Sequence, residues 1–238
     1  MKFEEAKIGK NGQIISINDL LQLSQNNTVL LDVLRHDLYC PVCGGAKLAL
    51  YLNVSSPFLK TKNGEKHLDT CILKQPQMTQ KECEDFLKTA EPETIEHQME
   101  KLLLLLSNHS QNTNTSPTQN NTNTANTNNR GNKRIPHKRI DRPLNNDDYD
   151  VIKYFYGNVN IRFETVDKYG YSRMNIFSTD NSKIYCSIKI TNNVYLHLDR
   201  SYIIEQDNVD FVYLGKISRF NNRNYSTAIK SYCILINH

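Results

Sequence analysis

The chain has 238 residues, of which 38% are hydrophobic, and its formal net charge is +4 at pH 7. This length favours two small domains over one large domain. The sequence contains no Trp, no apolar run of about 18 residues and no hydrophobic leader, which argues against a membrane anchor. We therefore expect a cytoplasmic protein without a membrane partner.

The positive charge is concentrated in one short segment. Residues 1–106 sum to −2, residues 107–142 sum to +5 and residues 143–238 sum to +1. The parts of the chain with a foldable composition are therefore close to neutral, and the basic segment between them is a separate feature.

The N-terminal part begins with a predicted hairpin. Two strand-like stretches lie on either side of Gly12, and Asn18 is a plausible N-cap for the helix that follows. Further along, Thr79 and Glu82 form the sequence pattern of a capping box, which predicts a second helix.

The most specific motif is Cys-Pro-Val-Cys-Gly-Gly at residues 40–45, followed after a gap of 23 residues by His67 and then Cys71. This spacing predicts a tetrahedral zinc site with three thiolates and one imidazole, formed by Cys40, Cys43, His67 and Cys71. A site with no open position is typical of structural zinc. We therefore expect Zn²⁺ as a structural cofactor and no catalytic metal.

Three other interpretations of these cysteines remain. A redox Cys-x-x-Cys pair requires a helix that starts at the first cysteine, whereas residues 46–52 are strand-like. A disulfide framework requires an oxidising compartment, and buried free cysteines would act as small apolar residues. His36 and Cys83 are the strongest substitute ligands, while Cys186 and Cys233 lie in apolar alternating runs typical of a core.

A helix is predicted from Pro92 to Leu106. Acidic residues in its first turn interact favourably with the positive end of the helix dipole. Residues 102–106 are five consecutive leucines, so this end is apolar on all sides. It packs either into the N-terminal domain or against a second copy of the helix. We place a zinc-binding domain with a helical stalk at residues 1–106.

Residues 107–146 are predicted to form a disordered linker. Residues 107–129 contain no charge and almost no apolar side chain, so burial cannot offset their ordering entropy. The basic cluster that follows is interpreted as a solubilising linker end or as a flexible arm that contacts phosphate. It includes Lys133, Arg134, Lys138 and Arg139.

Residues 147–238 are predicted to form an all-β domain. The last 90 positions hold 16 of the 21 Tyr and Phe residues, and period-two alternation occurs in five segments. These segments cover residues 151–166, 171–178, 183–190, 209–217 and 225–236. Three strands, a short connector and two strands is the order of a five-stranded OB barrel; an SH3-like barrel and a β-sandwich are the alternatives. The predicted class is therefore α+β, with a zinc-ribbon-like N-terminal domain, a disordered Asn/Thr linker and an OB-like barrel.

The second and third strands and the loop before the last strand carry aromatic and basic side chains together. Rings stack on bases and cations contact phosphates, so this pattern is typical of single-strand binding. It also occurs on ordinary antiparallel sheets, and a one-residue register slip would reverse the faces. The predicted interface contains Tyr171, Arg173, Lys183, Tyr185, Lys189, Arg219, Phe220 and Arg223.

The first hundred residues resemble the zinc-binding N-terminal region of competence protein CoiA-like bacterial proteins. The resemblance lies in residues 6–17, in the knuckle at residues 39–44, and in the His-bearing segment that follows a Lys/Gly turn. Where that family has a His-Phe-x-His signature, this chain has His67 and Cys71, so the fourth ligand differs. The resemblance implies a role in handling incoming DNA.

We find no Asp…Glu-x-Lys pattern of the nuclease domain that many of those proteins carry, nor a phosphate loop or paired carboxylates. The sequence therefore predicts a non-enzymatic protein that binds single-stranded DNA or RNA in DNA uptake, recombination or mobile-element biology. The alternative is a protein–protein adaptor that uses both domains for docking; an unrecognised nuclease is a third reading. The sequence does not fix the oligomeric state.

Overall fold

The computed structural model describes residues 3–52, 54, 57–69, 71–110, 133–166, 171–198 and 205–237. The chain is mixed α+β and forms two compact units. The first contains Met1–Pro76, and the second contains Gln77–Asn108 together with Lys133–His238. Within the described ranges, no helix is both long and apolar enough to cross a membrane.

The first unit consists of two small sheets and two helices. Strands β1 (Glu5–Ile8), β2 (Ile14–Ser16) and β3 (Leu38–Tyr39) form a sheet in the order β2-β1-β3. Helices α1 (Ile17–Asn26) and α2 (Thr28–Leu34) follow β2, and strands β4 (Leu48–Tyr51) and β5 (Phe58–Thr61) form an antiparallel hairpin. The predicted hairpin around Gly12 and the strand after the knuckle are thus confirmed.

The N-cap of helix α1 lies two residues earlier than the sequence suggested. The hydroxyl of Ser16 accepts a hydrogen bond from the backbone NH of Asp19, and the Asp19 carboxylate accepts one from the backbone NH of Ser16. This reciprocal pair is a capping box, so Ser16 rather than Asn18 is the N-cap. The prediction missed it because Asp in place of Glu at the third position hides the pattern.

The second unit is built on one large, mostly antiparallel sheet. Its strands follow the order β11-β12-β9-β8-β7-β10-β13, and β6 pairs with β7 outside that path. Among the strand pairs of the described residues, β6 with β7 and β12 with β9 are parallel, and the others are antiparallel. The strands are β6 (His137–Arg139), β7 (Ile152–Val166), β8 (Tyr171–Phe177), β9 (Ile184–Thr191), β10 (Gln206–Lys216), β11 (Ser218–Phe220), β12 (Arg223–Thr227) and β13 (Ile234–Asn237).

Each of the five predicted alternating segments contains a strand, so the strand prediction is confirmed. The last segment is divided into β12 and β13, and a helix α5 (Asn192–His197) follows β9 directly. Among the described strands the pairing path is open and no pair closes a barrel. Strands β10 and β11 are consecutive, with Ile217 alone between them.

One face of this sheet encloses the main core of the second unit. Side chains that alternate along the strands, such as Phe155 and Val159 of β7 and Phe211 and Tyr213 of β10, are fully buried there. Their neighbours Tyr154 of β7 and Val212, Leu214 of β10 are buried as well. Long strands that are buried on both faces require a second covering layer.

Two helices contact the strands on that second face. Helix α3 (Gln80–Thr89) is joined to β7 by the Gln80 amide, whose Oε1 accepts from the backbone NH of Ile152 at 2.6 Å. Helix α4 (Pro92–Ser110) is joined to the same strand, because the Tyr154 hydroxyl donates to Gln98 Oε1 at 3.0 Å. The capping box of Thr79 and Glu82 is present at the start of α3, as predicted.

This packing differs from the expected boundary at residue 106, since both helices fold with the C-terminal sheet. On α4, Leu102, Leu103 and Leu106 are buried, whereas Leu104 is exposed. The leucine run therefore belongs to the second unit and not to an N-terminal stalk. The sequence alone could not assign it, because a helix that is apolar on all sides fits any core.

The structure describes only part of the predicted linker of residues 107–146. Residues 111–132, which include most of the uncharged Asn/Thr segment, lie outside the described residues. Residues 137–139 form β6, paired with β7, so the basic segment after residue 133 is folded. The expectation of a flexible basic arm does not agree with this strand.

Candidate metal centre and candidate nucleic-acid interface

The predicted metal ligands converge in the first unit. The backbone NH of Gly44 donates to the carbonyl of Cys40 at 2.9 Å, and the NH of Gly45 donates to Cys43 Sγ at 3.4 Å, which closes the knuckle. Gly44 has φ +61°, and a Cβ there would lie 2.1 Å from the carbonyl oxygen of Lys10. Glycine is therefore required at this turn, as the sequence suggested.

The ligand atoms of Cys40, Cys43, His67 and Cys71 all lie within 4.8 Å of one another. The Sγ atoms of Cys40 and Cys71 are 3.8 Å apart, and His67 Nδ1 lies 3.7 Å from Cys43 Sγ and 3.5 Å from Cys71 Sγ. An ion bound tetrahedrally, with bonds of about 2.3 Å to sulfur and about 2.0 Å to nitrogen, would separate these atoms by about 3.5–3.8 Å. This cluster could hold a metal ion.

The cysteine geometry also bears on the other interpretations. A disulfide requires sulfur atoms about 2.0 Å apart, and all six cysteines are free thiols. The cluster contains neither substitute ligand, since His36 is exposed and Cys83 is buried in α3 of the second unit. Cys186 and Cys233 are buried, as expected of core residues.

The imidazole of His67 is oriented by a second contact. Its Nε2 lies 3.1 Å from Thr61 Oγ1 on β5, and its Nδ1 faces the sulfur atoms. A metal ligand of this kind donates its distal N–H to an oxygen, which fixes the tautomer. Strand β5 therefore prepares His67 to coordinate through Nδ1.

Proximity of the sulfur atoms changes their acidity. A hydrogen bond from the Cys71 thiol lowers the pKa of Cys40 to about 5, while the same contact and burial raise the pKa of Cys71. One of the pair is thus readily ionised, which is the state that binds a cation. The negative charge also explains why the second sulfur keeps its proton when no cation is bound.

The second unit carries a cleft of about 650 Å³ beside β8, β9 and β12. Five cationic side chains line it, together with a single carboxylate, that of Glu164. This excess of positive charge contrasts with the nearly neutral domain and focuses a positive potential in the cleft. The cations are Arg142, Arg173, Lys183, Arg219 and Arg223.

Three tyrosine rings line the same cleft, from Tyr149, Tyr185 and Tyr225. Two of these rings have a cation over them: Lys183 Nζ lies 5.6 Å from the ring centroid of Tyr185, and the guanidinium of Arg219 lies 5.9 Å from that of Tyr149. Burial, the largest cause, raises the pKa of Tyr185. The rings are therefore neutral apolar surfaces next to positive charge.

One wall of the cleft is the hairpin between β11 and β12. Asn221 and Asn222 have φ values of +47° and +59°, and Phe220 pairs with Arg223 across them. Two central residues with positive φ define a type I′ turn, which asparagine tolerates and which matches the twist of the strands. The turn places Arg219 and Arg223 beside β9.

The floor of the cleft contains a polar pair. Asn175 of β8 lies opposite Ser187 of β9, and the Ser187 hydroxyl donates to Asn175 Oδ1 at 2.7 Å. Asn175 is only 5% exposed. A buried amide in this position is held in one orientation by the serine.

The structure brings five of the eight predicted face residues to the cleft: Arg173, Lys183, Tyr185, Arg219 and Arg223. Tyr171 and Lys189 lie outside the cleft lining, on the same strands, with Lys189 Nζ 4.3 Å from the Tyr171 ring centroid. Phe220 is 69% exposed on the hairpin. Ile184 is exposed and lines the cleft as well.

Of the basic cluster, Lys133, Arg134, Lys138 and Arg139 do not line the cleft, whereas Arg142, its last member, does. Lys138 is 5% exposed and lies 3.4 Å from the Asp148 carboxylate. Arg139 forms a bidentate contact with Asp141, and Lys133 pairs with Glu82. Arg134 donates to His137 Nδ1 at 2.7 Å.

Sequence reasoning missed two functional candidates, Arg142 and Tyr149. Both precede the first predicted strand, in a segment interpreted as linker or boundary; β6, which pairs with β7, ends shortly before Arg142, and Tyr149 bridges to Ile217. The basic charge at Arg142 was visible in the sequence, but its place in the sheet was not.

Comparison of the chain with protein-family models, with curated proteins and with solved structures found no match. The resemblance to competence protein CoiA-like proteins therefore stays a prediction.

Proposed function

We propose that the protein is a non-enzymatic binder of single-stranded nucleic acid and that the cleft of the second unit is its binding site. The observation that carries this proposal is the combination of five cations, one carboxylate and three tyrosine rings in one cleft. Cations contact the phosphates, and rings stack on unpaired bases. A duplex offers no free base face, so it would use the cations alone.

The proposal includes an OB-type barrel as the scaffold. We take β7, β8 and β9 as strands one to three, β10 with β11 as one long fourth strand, and β12 as the fifth. The pairing order is then one, two, three, five, four and back to one, with the third and fifth strands parallel. That order, and a helix between the third and fourth strands, is the pattern we expect of an OB fold. The Tyr213 hydroxyl supports it, since it lies 2.6 Å from Ser226 Oγ and links β10 to β12.

The location of the cleft agrees with that scaffold. It lies on the second and third strands of the order, β8 and β9, and is bordered by the loop between the fourth and fifth. OB folds bind oligonucleotides at this position.

The metal centre is proposed to hold structural Zn²⁺. Three thiolates and one imidazole at tetrahedral separations suit Zn²⁺ better than hard cations, which prefer oxygen ligands. With all four positions filled by side chains, the ion would fold the first unit and would not activate water.

The test is fluorescence anisotropy of the full chain with labelled oligonucleotides of about 15 residues, as single-stranded DNA, single-stranded RNA and duplex DNA. Binding to single strands should weaken steeply between about 50 mM and about 200 mM salt. The variant Tyr185→Ala should weaken binding by roughly 1–3 kcal/mol for each stacked base lost, and combining it with Tyr171→Ala tests the rest of the face.

The matched control is Lys88→Ala, which removes an exposed cation that is paired with Asp85 on α3, away from the cleft. Loss of one phosphate contact through Arg173→Ala should lower the salt slope by about 0.7, and Lys88→Ala should leave it unchanged. Equal weakening by both variants, or absence of single-strand binding at low salt, would contradict the proposal.

The second candidate function is a protein–protein adaptor, which the surface of α2 favours. Val29 and Val33 lie one helical turn apart and are 74% and 65% exposed. An apolar contact of this kind responds little to salt. If the chain binds no nucleic acid, Val29→Glu with Val33→Glu becomes the variant with which to examine partner binding.

A further inference from the structure

We propose that Asn175 and Ser187, at the floor of the cleft, read the edge of one unstacked base and give the binding a base preference. This inference rests on the proposed function and adds to it a specificity-determining pair. The cations and rings described above bind any sequence, because every nucleotide has a phosphate and a base face.

The first step is the fixed orientation of the amide. Ser187 donates to Asn175 Oδ1, so the amide nitrogen of Asn175 points away from the serine. Among the described residues, the bond from Ser187 is the only side-chain hydrogen bond that Asn175 makes. Since Asn175 lines the cleft, its N–H groups are available to a ligand there.

The second step is the chemistry of the pair. Asn175 offers a donor. The Ser187 hydroxyl directs its hydrogen at the amide oxygen, so the Ser187 oxygen offers its lone pairs as an acceptor. An adjacent donor and acceptor match a Watson–Crick edge, on which an acceptor lies next to an N–H group. That edge is free only in an unpaired base, and unpaired bases are recognised in this way.

The third step is the position of the rings. Tyr225 of β12 is the register partner of Ser187 in the parallel pair with β9, and Tyr185 precedes Ser187 by two residues on the same face of β9. Both rings line the cleft. A base that stacks on either ring therefore brings its edge to the polar pair.

The hairpin holds this arrangement. Asn224 Nδ2 donates to the carbonyl oxygen of Tyr185 at 2.7 Å, which ties β12 to β9 directly beside the pair. The cleft is thus bordered by β12, which carries Tyr225, and its lining includes the cations. A nucleotide enters with its base toward the floor and its phosphate toward the arginines.

The experiment compares the affinities of the full chain for oligo-dT, oligo-dC and oligo-dA of equal length at one salt concentration. We expect the preferred base to exceed the weakest by roughly 5- to 150-fold, the range of one good side-chain pair with a base edge. Asn175→Ala should reduce that ratio to about 1 to 2 while leaving the salt slope unchanged. Asn175→Asp, which replaces the donor by an acceptor, should change the order of the bases.

Asn160→Ala is the matched control. Asn160 is a buried asparagine on the neighbouring strand β7 that donates to the carbonyl oxygen of Thr179 and does not line the cleft. It should lower the melting temperature as Asn175→Ala does and keep the base ratio. Ser187→Thr, which retains the hydroxyl, should keep the ratio, whereas Ser187→Ala should reduce it.

The outcomes separate this inference from the proposed function. Salt-sensitive binding to single strands with no base preference in the unaltered protein would overturn the reading of the base edge and leave the proposed function in place. A preference that survives Asn175→Ala and Ser187→Ala would also overturn it. Absence of binding to every single strand would overturn both.

Discussion

A hydrogen bond between Asn224 and Tyr185 joins the β11–β12 hairpin to strand β9 of the sheet. The Asn224 amide donates to the Tyr185 carbonyl at 2.7 Å, and this bond runs between the parallel strands β12 and β9. It fixes the hairpin that carries Arg219 and Arg223 against the strand that carries the ring. The shape of the cleft therefore depends on the Asn224 side chain, which also lines it.

The first prediction concerns that bond. Asn224→Ala should lower the free energy of unfolding by about 1 kcal/mol, the net value of a typical hydrogen bond. It should weaken single-strand binding several-fold, because the hairpin cations lose their position. Urea denaturation and anisotropy measure the two effects. Asn158→Ala is the control, since the Asn158 amide also donates to a backbone carbonyl, that of Asn208, but away from the cleft; it should reduce stability without reducing affinity.

The second prediction concerns the single carboxylate of the cleft. Glu164 Oε2 lies 3.9 Å from the Arg173 guanidinium, where it competes with a phosphate for the same cation. Glu164→Gln should tighten single-strand binding about two- to five-fold at low salt and have less effect at high salt, since the exposed pair is screened. Glu205→Gln, next to Arg162 and outside the cleft lining, should leave the affinity unchanged. Equal affinity for Glu164→Gln and the unaltered protein would remove Arg173 from the phosphate contacts.

The metal cluster was predictable because its information is local. Cys40 and Cys43 are three residues apart in one turn, so both sulfur atoms can face the same ion. Gly44, with φ +61°, permits the chain to make that turn tightly. His67 and Cys71 needed only a hairpin to bring them back, and β4 with β5 supplies it. The role of Thr61 in orienting His67 was not predictable, because it depends on the register of that hairpin.

The strands of the second unit were predictable for a similar reason, since a period of two appears in the residues themselves. The helices were also recognised, by the capping box at Thr79 and by Pro92. Their partner was not, because an apolar helix face carries no information about which core it enters. The same limit applies to Lys138, whose burial beside Asp148 follows from the pairing of β6 with β7.

The third prediction concerns metal removal. A strong chelator should unfold the first unit and leave the sheet of the second unit intact, because the metal ligands all belong to the first. We expect one Zn²⁺ per chain by elemental analysis and release of that ion on treatment with a thiol-modifying reagent. Cys40→Ser should abolish the stoichiometric metal, whereas Cys186→Ser, in the core of the second unit, should retain it. A full metal content in Cys40→Ser would contradict this ligand set.

The fourth prediction concerns the buried carboxylate of Asp148. It accepts from Lys153 Nζ at 2.6 Å and from the backbone NH of Asn145 at 2.7 Å, and it lies 3.4 Å from Lys138 Nζ. Removing one partner of a buried ion pair leaves charge without compensation, so Asp148→Ala should cost about 3–5 kcal/mol of unfolding free energy.

The control for Asp148 is Asp85→Ala, which breaks the exposed pair with Lys88 on α3 and should cost no more than about 0.5 kcal/mol. Adding Lys138→Met to Asp148→Ala should recover part of the loss, since it removes one of the two uncompensated cations. A change below about 1 kcal/mol for Asp148→Ala would mean that water reaches the site.

The last prediction concerns the pH dependence of stability. Burial, followed by the charges of Arg134 and Lys153, lowers the pKa of His137 to about 3. Its Nδ1 accepts a hydrogen bond from Arg134, so protonation would break that contact and place two cations together. The unfolded chain binds the proton near pH 6.5, whereas the folded chain does not. Stability is therefore complete above about pH 6.5 and is lost as the pH falls toward 3.

Linkage gives the size of this effect. Between about pH 7.5 and pH 5 the loss should be about 1–2 kcal/mol, because His137 is partly exposed and solvent reduces the cost of burial. Carboxylates with lowered pKa, such as Asp148 and Glu82, contribute only below this window, since their unfolded values are 3.8 and 4.5. Urea denaturation followed by near-ultraviolet circular dichroism of tyrosine reports mainly on the second unit, which contains 11 of the 13 tyrosines. His137→Gln should flatten the curve over this range, and an unchanged slope in that variant would assign the pH dependence to other groups.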